Sequence, residues 1–212
     1  MHGTKGLDGA ELRRGLTALA AEWGVPCSDQ QAAELGRYAT LLLTWNEHIN
    51  LTGARSSADL ITDHFPDSFA LAASLAGPEQ IIDVGTGGGL PAVPLAILRP
   101  ALALVLCEPL KKKGAFLRTG IRELGLATRV RLEVRHGEDL AAEAPRSFDA
   151  AFSRATLAPP DWLALGRRLV RPGGRVFVLT TPETSLAADQ ALPIRSRRYS
   201  GGRRVLVEVT VP

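Results

Sequence analysis

The residue types and spacing with the clearest capacity for chemistry lie in the glycine-rich stretch IIDVGTGGGLP at positions 81–91. Asp83 precedes glycines at 85, 87, 88 and 89, and an apolar run at 92–98 can continue as a helix. A strand that feeds a glycine turn and then a helix N-terminus presents backbone N–H groups to an anion. Glycine also tolerates positive φ and lets a ligand approach the backbone closely. The stretch therefore predicts a cofactor-binding loop, and a plain strand-to-helix turn is the alternative.

A second acidic residue, Glu108, stands at the spacing that nucleoside binding requires. It follows a predicted strand at 103–107, about twenty residues after the glycine turn, where a ribose-binding acid belongs in a βαβ unit. A carboxylate suits two ribose hydroxyls because it offers acceptors without competing donors. A surface acid at a strand end is the alternative, and the spacing favours the ribose role. A dinucleotide fingerprint would need glycine at position 90, where Leu90 stands, so a nicotinamide oxidoreductase is disfavoured.

Arg154 is the third candidate. It follows a predicted strand at 148–152, at the carboxyl edge where doubly wound folds bind ligands. A lone arginine often only pairs with a neighbouring acid on the surface, but the position at a strand end favours function. The two cysteines, Cys27 and Cys107, form no metal-ligand spacing and no disulfide framework.

The elements that must position these residues alternate between strand and helix. Helices are predicted at 91–98, 112–124 and 162–169, and strands at 103–107, 130–134, 148–152 and 175–179, the last after a turn at 172–174. This alternation predicts an α/β fold with a doubly wound, mostly parallel sheet and right-handed crossovers. Residues 193–199 and 203–211, separated by Ser200-Gly201-Gly202, predict a C-terminal antiparallel hairpin.

The N-terminal third predicts helices without strands. Apolar residues at helical spacing predict a helix over 8–23 with Asp8 as its cap, and Ser28 with Gln31 predicts a capping box that opens a second helix. A helix over 65–75 then leads to a candidate boundary at Gly77-Pro78. We interpret residues 1–76 as an N-terminal helical cap that packs on a catalytic domain at 77–212.

Composition narrows the class of protein. The 212 residues contain 45% hydrophobic residues and carry a net charge of +3, without an apolar signal region or a stretch long enough for a membrane span. We expect a cytoplasmic protein that does not associate with membranes. Basic residues concentrate in the C-terminal half and include Lys111, Lys112 and Lys113, which supports a polyanionic partner, although charge clusters are usually only solvated faces.

Taken together, these residues resemble the family of ribosomal RNA small subunit methyltransferase G, also called glucose-inhibited division protein B. The matching pieces are WNEHINLT at 45–52, HFPDS at 64–68, IIDVGTGGGLPAVPLAILRP at 81–100, EPLKKKGAFLRTGIRELGL at 108–126, FDAAFSRA at 148–155, LVRPGGRVFVL at 169–179 and the final hairpin. The resemblance implies a class I (Rossmann-like) methyltransferase fold. It also implies transfer of a methyl group from S-adenosylmethionine to N7 of a guanine in a conserved loop of 16S rRNA.

The resemblance also implies roles for individual residues. Gly85, Gly87, Gly89 and Leu90 would face the methionine end of the cofactor, Glu108 the ribose, and Gly137 and Glu138 the adenine, while Arg154 would lie at both cofactor and active site as the catalytic residue. We expect Lys111–Lys113 to contact rRNA or the small ribosomal subunit, and we expect a monomer without a metal. Guanine N7 carries no proton, so a site without a general base suits it.

Three departures from the family pattern stand out: Thr180-Thr181 replaces its usual Lys-Gly, Glu108 its usual Asp, and Ala92 an expected glycine. The missing lysine removes one potential RNA or substrate contact. His64, Asn46, Asn50 and Asp67 could line a guanine pocket, and His64 could equally be a structural residue. The alternatives are a methyltransferase for another RNA site or a small molecule, and a non-catalytic rRNA-binding assembly factor. The intact glycine loop with Glu108 argues against the factor.

Overall fold

The computed structural model describes residues 9–75, 77, 79–183 and 193–212. The helices are α1 (Gly9–Trp23), α2 (Asp29–Asn46), α3 (Ser57–Asp59), α4 (Phe65–Ser74), α5 (Ala92–Leu98), α6 (Lys111–Glu123), α7 (Gly137–Glu143) and α8 (Pro159–Leu169), with a π-helical turn at Leu60–His64 between α3 and α4. No helix in the described part of the chain is long and apolar enough to cross a membrane.

The strands of the described residues form one sheet. They are β1 (Gln80–Val84), β2 (Ala103–Cys107), β3 (Val130–Glu133), β4 (Phe148–Arg154), β5 (Val170–Thr180), β6 (Ile194–Tyr199) and β7 (Arg204–Thr210), in the spatial order β3-β2-β1-β4-β5-β7-β6. The first five are parallel, and β7 runs antiparallel to both β5 and β6. The predicted α/β doubly wound fold with its C-terminal hairpin is confirmed. The strand order reverses between β1 and β4, and such a switch point opens a ligand crevice at the carboxyl ends of the strands.

Two hydrophobic cores cover the faces of this sheet. One contains side chains of α1, α2 and α4 together with those of α5 and α6 and one face of the sheet. The other joins the opposite face to α7 and α8. Because the central strands are buried on both faces, they consist of apolar runs such as ALVLC in β2.

Local sequence signals place most of the boundaries. The capping box of Ser28 and Gln31 is present, and Gly24 ends α1 with a φ of +61°. Asp8, Ala76 and Pro78 lie outside the described residues, as does position 192 of the predicted hairpin's approach.

Three expectations need correction. The predicted turn at 172–174 lies inside β5, because the strand bulges between the pairs Phe148–Val170 and Ala150–Arg175 and then continues. Helix α7 and the helical residues 57–64 were not predicted. Both segments are too short to show helical periodicity.

Candidate functional site

The glycine loop after β1 is held in a conformation that only glycine adopts easily. Gly85, Gly87 and Gly89 have φ values of +73°, +60° and +82°. A Cβ on Gly85 would lie 2.2 Å from Oγ1 of Thr156, and one on Gly89 would lie 2.6 Å from Cγ2 of Val93. Both positions therefore require glycine for space as well as for backbone conformation.

Glu108 ties this loop to the end of β2. Its Oε2 accepts a hydrogen bond from the Gly87 N–H at 2.9 Å, and its Oε1 accepts one from the Leu110 N–H at 3.0 Å. The residue is only 4% exposed. A Cβ on Gly87 would meet no heavy atom closer than 4.0 Å, so this glycine faces open space.

That open space is a cavity of about 480 Å³. Its lining includes Gly85, Gly87, Leu90, Glu108, Lys113 and Arg154, together with Leu51, Thr86, Gly88, Pro109, Leu110, Ala155 and Thr156. The structure thus brings six of the residues singled out from the sequence to one cavity. Gly89 shapes the loop behind it.

Gly137 and Glu138 are not among the residues that line this cavity. They form the first turn of α7, where a Cβ on Gly137 would lie 2.6 Å from Cγ1 of Val84, and Glu138 is exposed. The close approach of α7 to β1 gives Gly137 a packing reason in its own right.

Asp83, at the end of β1, is a buried acid without full compensation. It is 1% exposed, and its Oδ2 has no hydrogen-bond partner among the described residues. Burial raises its pKa from 3.8 to about 7; the nearby Thr86 hydroxyl and Arg154 oppose this shift. An uncompensated carboxyl behind the glycine loop favours a cationic group in the adjoining cavity.

Arg154, the last residue of β4, is held by two residues near the start of α4. One of its guanidinium nitrogens donates to Oδ2 of Asp67 at 2.9 Å, and another donates to Nδ1 of His64 at 2.8 Å. The His64 ring is therefore neutral, with Nε2 placed 3.4 Å from the Thr52 hydroxyl. Burial, and next the positive charge of Arg154, lower the pKa of His64 from 6.5 to about 4.

Asp67 is fully buried and also anchors the C-terminal hairpin. Its Oδ1 accepts from the Tyr199 hydroxyl at 2.6 Å, and Arg204 donates to both of its oxygens at 3.1 and 2.8 Å. The desolvation of one carboxylate is thus offset by two guanidinium groups and a phenol. Sequence reasoning missed Tyr199 and Arg204, because no local pattern marks such distant partners.

A second cavity, of about 580 Å³, opens on the other side of Arg154. It is lined by Asp63, Ser153, Arg154, Ala155, Leu157, Pro159, Trp162, Val178, Leu179, Thr180, Thr181, Arg203 and Arg204. Arg154 and Ala155 line both cavities. Ala155 has a φ of +55°, a strained conformation of the kind found at functional sites.

The N-terminal helices support the loop directly. The Tyr38 hydroxyl, buried in α2, donates to the Gly88 carbonyl at 2.7 Å, and Ser68 of α4 donates to the Pro91 carbonyl at 3.0 Å. The Asn46 amide holds the backbone of residues 51, 52 and 54, so its hydrogen-bonding groups face that segment. Asn50 is exposed.

The three lysines lie in the first turn of α6. Lys111 and Lys112 are exposed, whereas Lys113 is half-buried on the wall of the first cavity. Cations at a helix N-terminus oppose the helix dipole, and Leu110 provides no side-chain cap. Within the described residues, no group of three His, Cys, Asp or Glu side chains could hold a metal ion.

The fold and this site together define a class I methyltransferase: a parallel sheet closed by an antiparallel hairpin, with a glycine loop after β1 and an acid after β2. A solved structure with this fold is a T. thermophilus 16S rRNA N2 methyltransferase in complex with AdoMet and guanosine. The match has a TM-score of 0.55 and 18% sequence identity, and it covers 69% of this chain and 43% of that chain.

Sequence comparison identifies the family. The model of the rRNA small subunit methyltransferase G family (GidB) matches residues 31–197. Two relatives named ribosomal RNA small subunit methyltransferase G are 38% identical, from Anaeromyxobacter sp. (strain Fw109-5), over 86% of this chain and 80% of the relative, and 33% identical, from Myxococcus xanthus, over 93% of this chain and 96% of the relative. The chain belongs to the rRNA small subunit methyltransferase G family, as its motifs predict.

Proposed function

We propose that this protein transfers the methyl group of S-adenosylmethionine to N7 of a guanine in 16S rRNA. The observation that carries the proposal is the pair of adjoining cavities that share Arg154 and Ala155 at the strand-order switch point. One cavity suits a cofactor and the other an acceptor base, so the two reactants meet at Arg154. Positioning of this kind supplies much of the rate enhancement of a direct transfer.

The residues of the first cavity fit S-adenosylmethionine. The buried Asp83 carboxyl, with its unpartnered oxygen, supplies negative charge behind the loop for the cationic methionine end. Glu108 uses one bond from each oxygen on the backbone and keeps acceptor capacity for ribose hydroxyls. When bound, the cofactor supplies an electrophilic methyl group on a positively charged sulfur. We assign Gly85, Gly87, Gly89, Leu90, Glu108 and Arg154 to cofactor binding, with Gly137 and Glu138 at its adenine end.

The second cavity suits an acceptor that need not lose a proton. Its ionisable lining residues are Asp63 and the arginines 154, 203 and 204, and Asp63 lies 3.6 Å from Arg203 in an ion pair. Arginine does not act as a base at neutral pH. Guanine N7 attacks through a lone pair, so binding and orientation by Arg154 are sufficient.

The rRNA contact and the setting follow from this substrate. We assign Lys111, Lys112 and Lys113 to rRNA phosphates, because they adjoin the cofactor cavity and are not compensated by an acid in the first turn of α6. The enzyme acts as a monomer, because one chain forms both cavities. It works in the cytoplasm, where its rRNA substrate is made.

The test is transfer of a tritiated methyl group to free 16S rRNA, to the small ribosomal subunit, to a plain RNA duplex and to guanosine. Reduction and aniline cleavage of the product then locate 7-methylguanosine. We expect one cleavage in 16S rRNA, and poor transfer to the duplex and to guanosine, because sequence-specific RNA recognition favours splayed bases in loops. Efficient methylation of a small molecule without cleavage of rRNA would overturn the substrate assignment.

A further inference from the structure

The positive charge of this chain is concentrated in its C-terminal hairpin. The whole chain has 25 basic and 22 acidic residues, whereas residues 193–212 have five arginines and a single acid, Glu208. The hairpin therefore carries +4 and the rest of the chain −1. A charge so localised requires either a partner or a local structural reason.

The five arginines divide by their contacts. Arg204 is bound to the buried Asp67, and Arg197 lies with its guanidinium 3.8 Å from the ring centroid of Trp23. Arg195 and Arg198 are exposed and form no salt bridge among the described residues, and the Arg203 side chain is 69% exposed despite its pair with Asp63. Arg198 and Arg203 are thus accessible cations.

The strand register places these two arginines beside the acceptor cavity. Arg198 pairs with Val205, and Val205 pairs with Thr180, the last residue of β5, so Arg198 lies at the carboxyl edge of the sheet. Arg203 precedes β7 at the same edge and lines the acceptor cavity. Arg195 pairs with Glu208, three residues further down the strand and roughly 10 Å from that edge.

A third cavity, of about 270 Å³, continues the row along this edge. Arg198 lines it together with Ser196, Val205 and Val207, and it shares Thr180 and Thr181 with the acceptor cavity. The cofactor cavity, the acceptor cavity and this third cavity therefore follow one another from the β2 side of the sheet to the hairpin. Lys113 lines the first of them and Arg198 the last.

We propose that Arg198 and Arg203 bind phosphates of the RNA strand that flanks the acceptor guanine. The hairpin then holds the RNA on the side of the cavities opposite Lys111–Lys113. This inference rests on the proposed function, since it takes the acceptor to be a nucleotide within rRNA. Arginine suits the task because its planar fork binds phosphate oxygens in pairs.

The competing explanation is protection of an edge strand. β6 is the last strand of the sheet, and charged side chains on such a strand prevent pairing with another chain. That explanation treats Arg195 and Arg198 alike, because both point from the same exposed strand. Phosphate binding distinguishes them, because Arg198 lies beside the acceptor cavity and Arg195 does not.

The experiment compares Arg198→Ala, Arg203→Ala and the matched control Arg195→Ala in the full chain. Affinity for 16S rRNA is measured over a series of salt concentrations, alongside calorimetric affinity for S-adenosylmethionine and the steady-state constants for methyl transfer. Each loss of a phosphate contact should lower the log–log salt slope by about 0.7–0.9 and weaken RNA binding roughly five- to tenfold at about 0.1 M salt. We expect this for Arg198→Ala and Arg203→Ala, as a raised KM for rRNA with unchanged kcat and unchanged cofactor affinity. Arg195→Ala should match the wild type.

Arg198→Lys and Arg203→Lys keep the charge and should restore the salt slope. Equal effects of Arg195→Ala and Arg198→Ala, or none from Arg198→Ala and Arg203→Ala in a protein that methylates rRNA, would overturn the hairpin surface alone. If the wild-type protein binds the cofactor yet does not methylate rRNA, the proposed function fails and this inference fails with it.

Discussion

At the scale of single residues, Arg154 connects the two cavities and the two ends of the chain. Its guanidinium is held by His64 and Asp67, and Asp67 in turn receives Arg204 and Tyr199 from the hairpin. Two guanidinium groups share one carboxylate, and His64 is neutral, so the cluster carries a net positive charge. Such a cluster beside the acceptor cavity suits a substrate with oxygen acceptors and phosphates.

The Arg154→Ala substitution tests this residue. Loss of a charged hydrogen-bond partner should weaken methyl transfer by about 1–3 kcal/mol, which corresponds to roughly 5- to 150-fold in rate. Arg154→Lys should recover only part, because lysine cannot reach Asp67 and His64 together. Single-turnover transfer is measured in variants whose thermal unfolding matches the wild type. An unchanged rate in a folded Arg154→Ala protein would exclude the assigned role.

Asp83 predicts a pH dependence of cofactor affinity. Its pKa in the folded protein is raised to about 7, so the carboxyl is neutral below that pH and ionised above it. A bound ammonium group favours the ionised form, and binding below pH 7 must therefore release a proton. The Kd for S-adenosylmethionine should rise by up to about tenfold per pH unit as pH falls from 7 towards 5.

The control for this prediction is Asp83→Asn, which should bind more weakly at pH 7 and lose the dependence between pH 5 and 7. Its stability has the opposite sign. Ionisation of Asp83 destabilises the unliganded wild type as pH rises from about 4 to 7, so Asp83→Asn should gain stability over the wild type in that window. Calorimetric titration and thermal unfolding measure the two effects. A wild-type Kd that is constant over pH 5–7 would contradict the role of Asp83.

At the scale of elements, the sequence predicts what is local and misses what is distant. Strands β1, β2 and β4 are apolar runs that end at glycine or charged residues, and the capping box of α2 is readable from four residues. The partners of Asp67 lie 87, 132 and 137 residues away along the chain, so no local pattern could reveal them. Helix α7 was missed because its seven residues span only two turns.

Gly87 illustrates how the structure alters a prediction from sequence. A side chain there was expected to clash with the backbone, yet it would enter open space in the cofactor cavity. Gly87→Val should therefore abolish cofactor binding by filling the cavity, with a backbone strain of about 1–2 kcal/mol from the positive φ. Gly125→Val is the matched control, because Gly125 has a φ of +67° and open space but lies at the end of α6. Calorimetry should show normal affinity in the control; the same affinity in Gly87→Val would place the cofactor elsewhere.

The first turn of α6 predicts an exchange of function against stability. Its three lysines oppose the helix dipole, so Lys111–Lys113 replaced together by Ala should raise the stability of the protein by roughly 0.3–1 kcal/mol for each charge removed. The same variant should lose rRNA affinity and several tenths of salt slope for each phosphate contact, of order 0.7–0.9. Thermal unfolding and salt-dependent RNA binding measure both. A variant that is more stable and binds rRNA as the wild type does would remove the lysines from the RNA surface.

At the scale of the whole molecule, the N-terminal helices and the sheet share one hydrophobic core. Side chains of α1, α2 and α4 pack in the same cluster as α5, α6 and one face of the sheet. Tyr38 also donates to the glycine loop, and Gln31 donates to the carbonyls of Ile97 and Leu98 at the end of α5. We therefore propose that the boundary at residue 76 divides a supporting part from a catalytic part within one folding unit.

Removal of residues 1–76 tests that proposal. A fragment of residues 77–212 would expose the apolar face that now covers α5 and the sheet, and an exposed patch of that size favours aggregation. We expect no cooperative thermal transition and no cofactor binding from the fragment, since Tyr38, Ser68 and the partners of Arg154 at 64 and 67 are removed with the helices. Addition of the separate 1–76 chain should restore both signals, because the missing half of the core is then supplied in trans. A fragment that unfolds cooperatively and binds S-adenosylmethionine alone would show that 77–212 is an autonomous domain, and that the helices serve the rRNA rather than the fold.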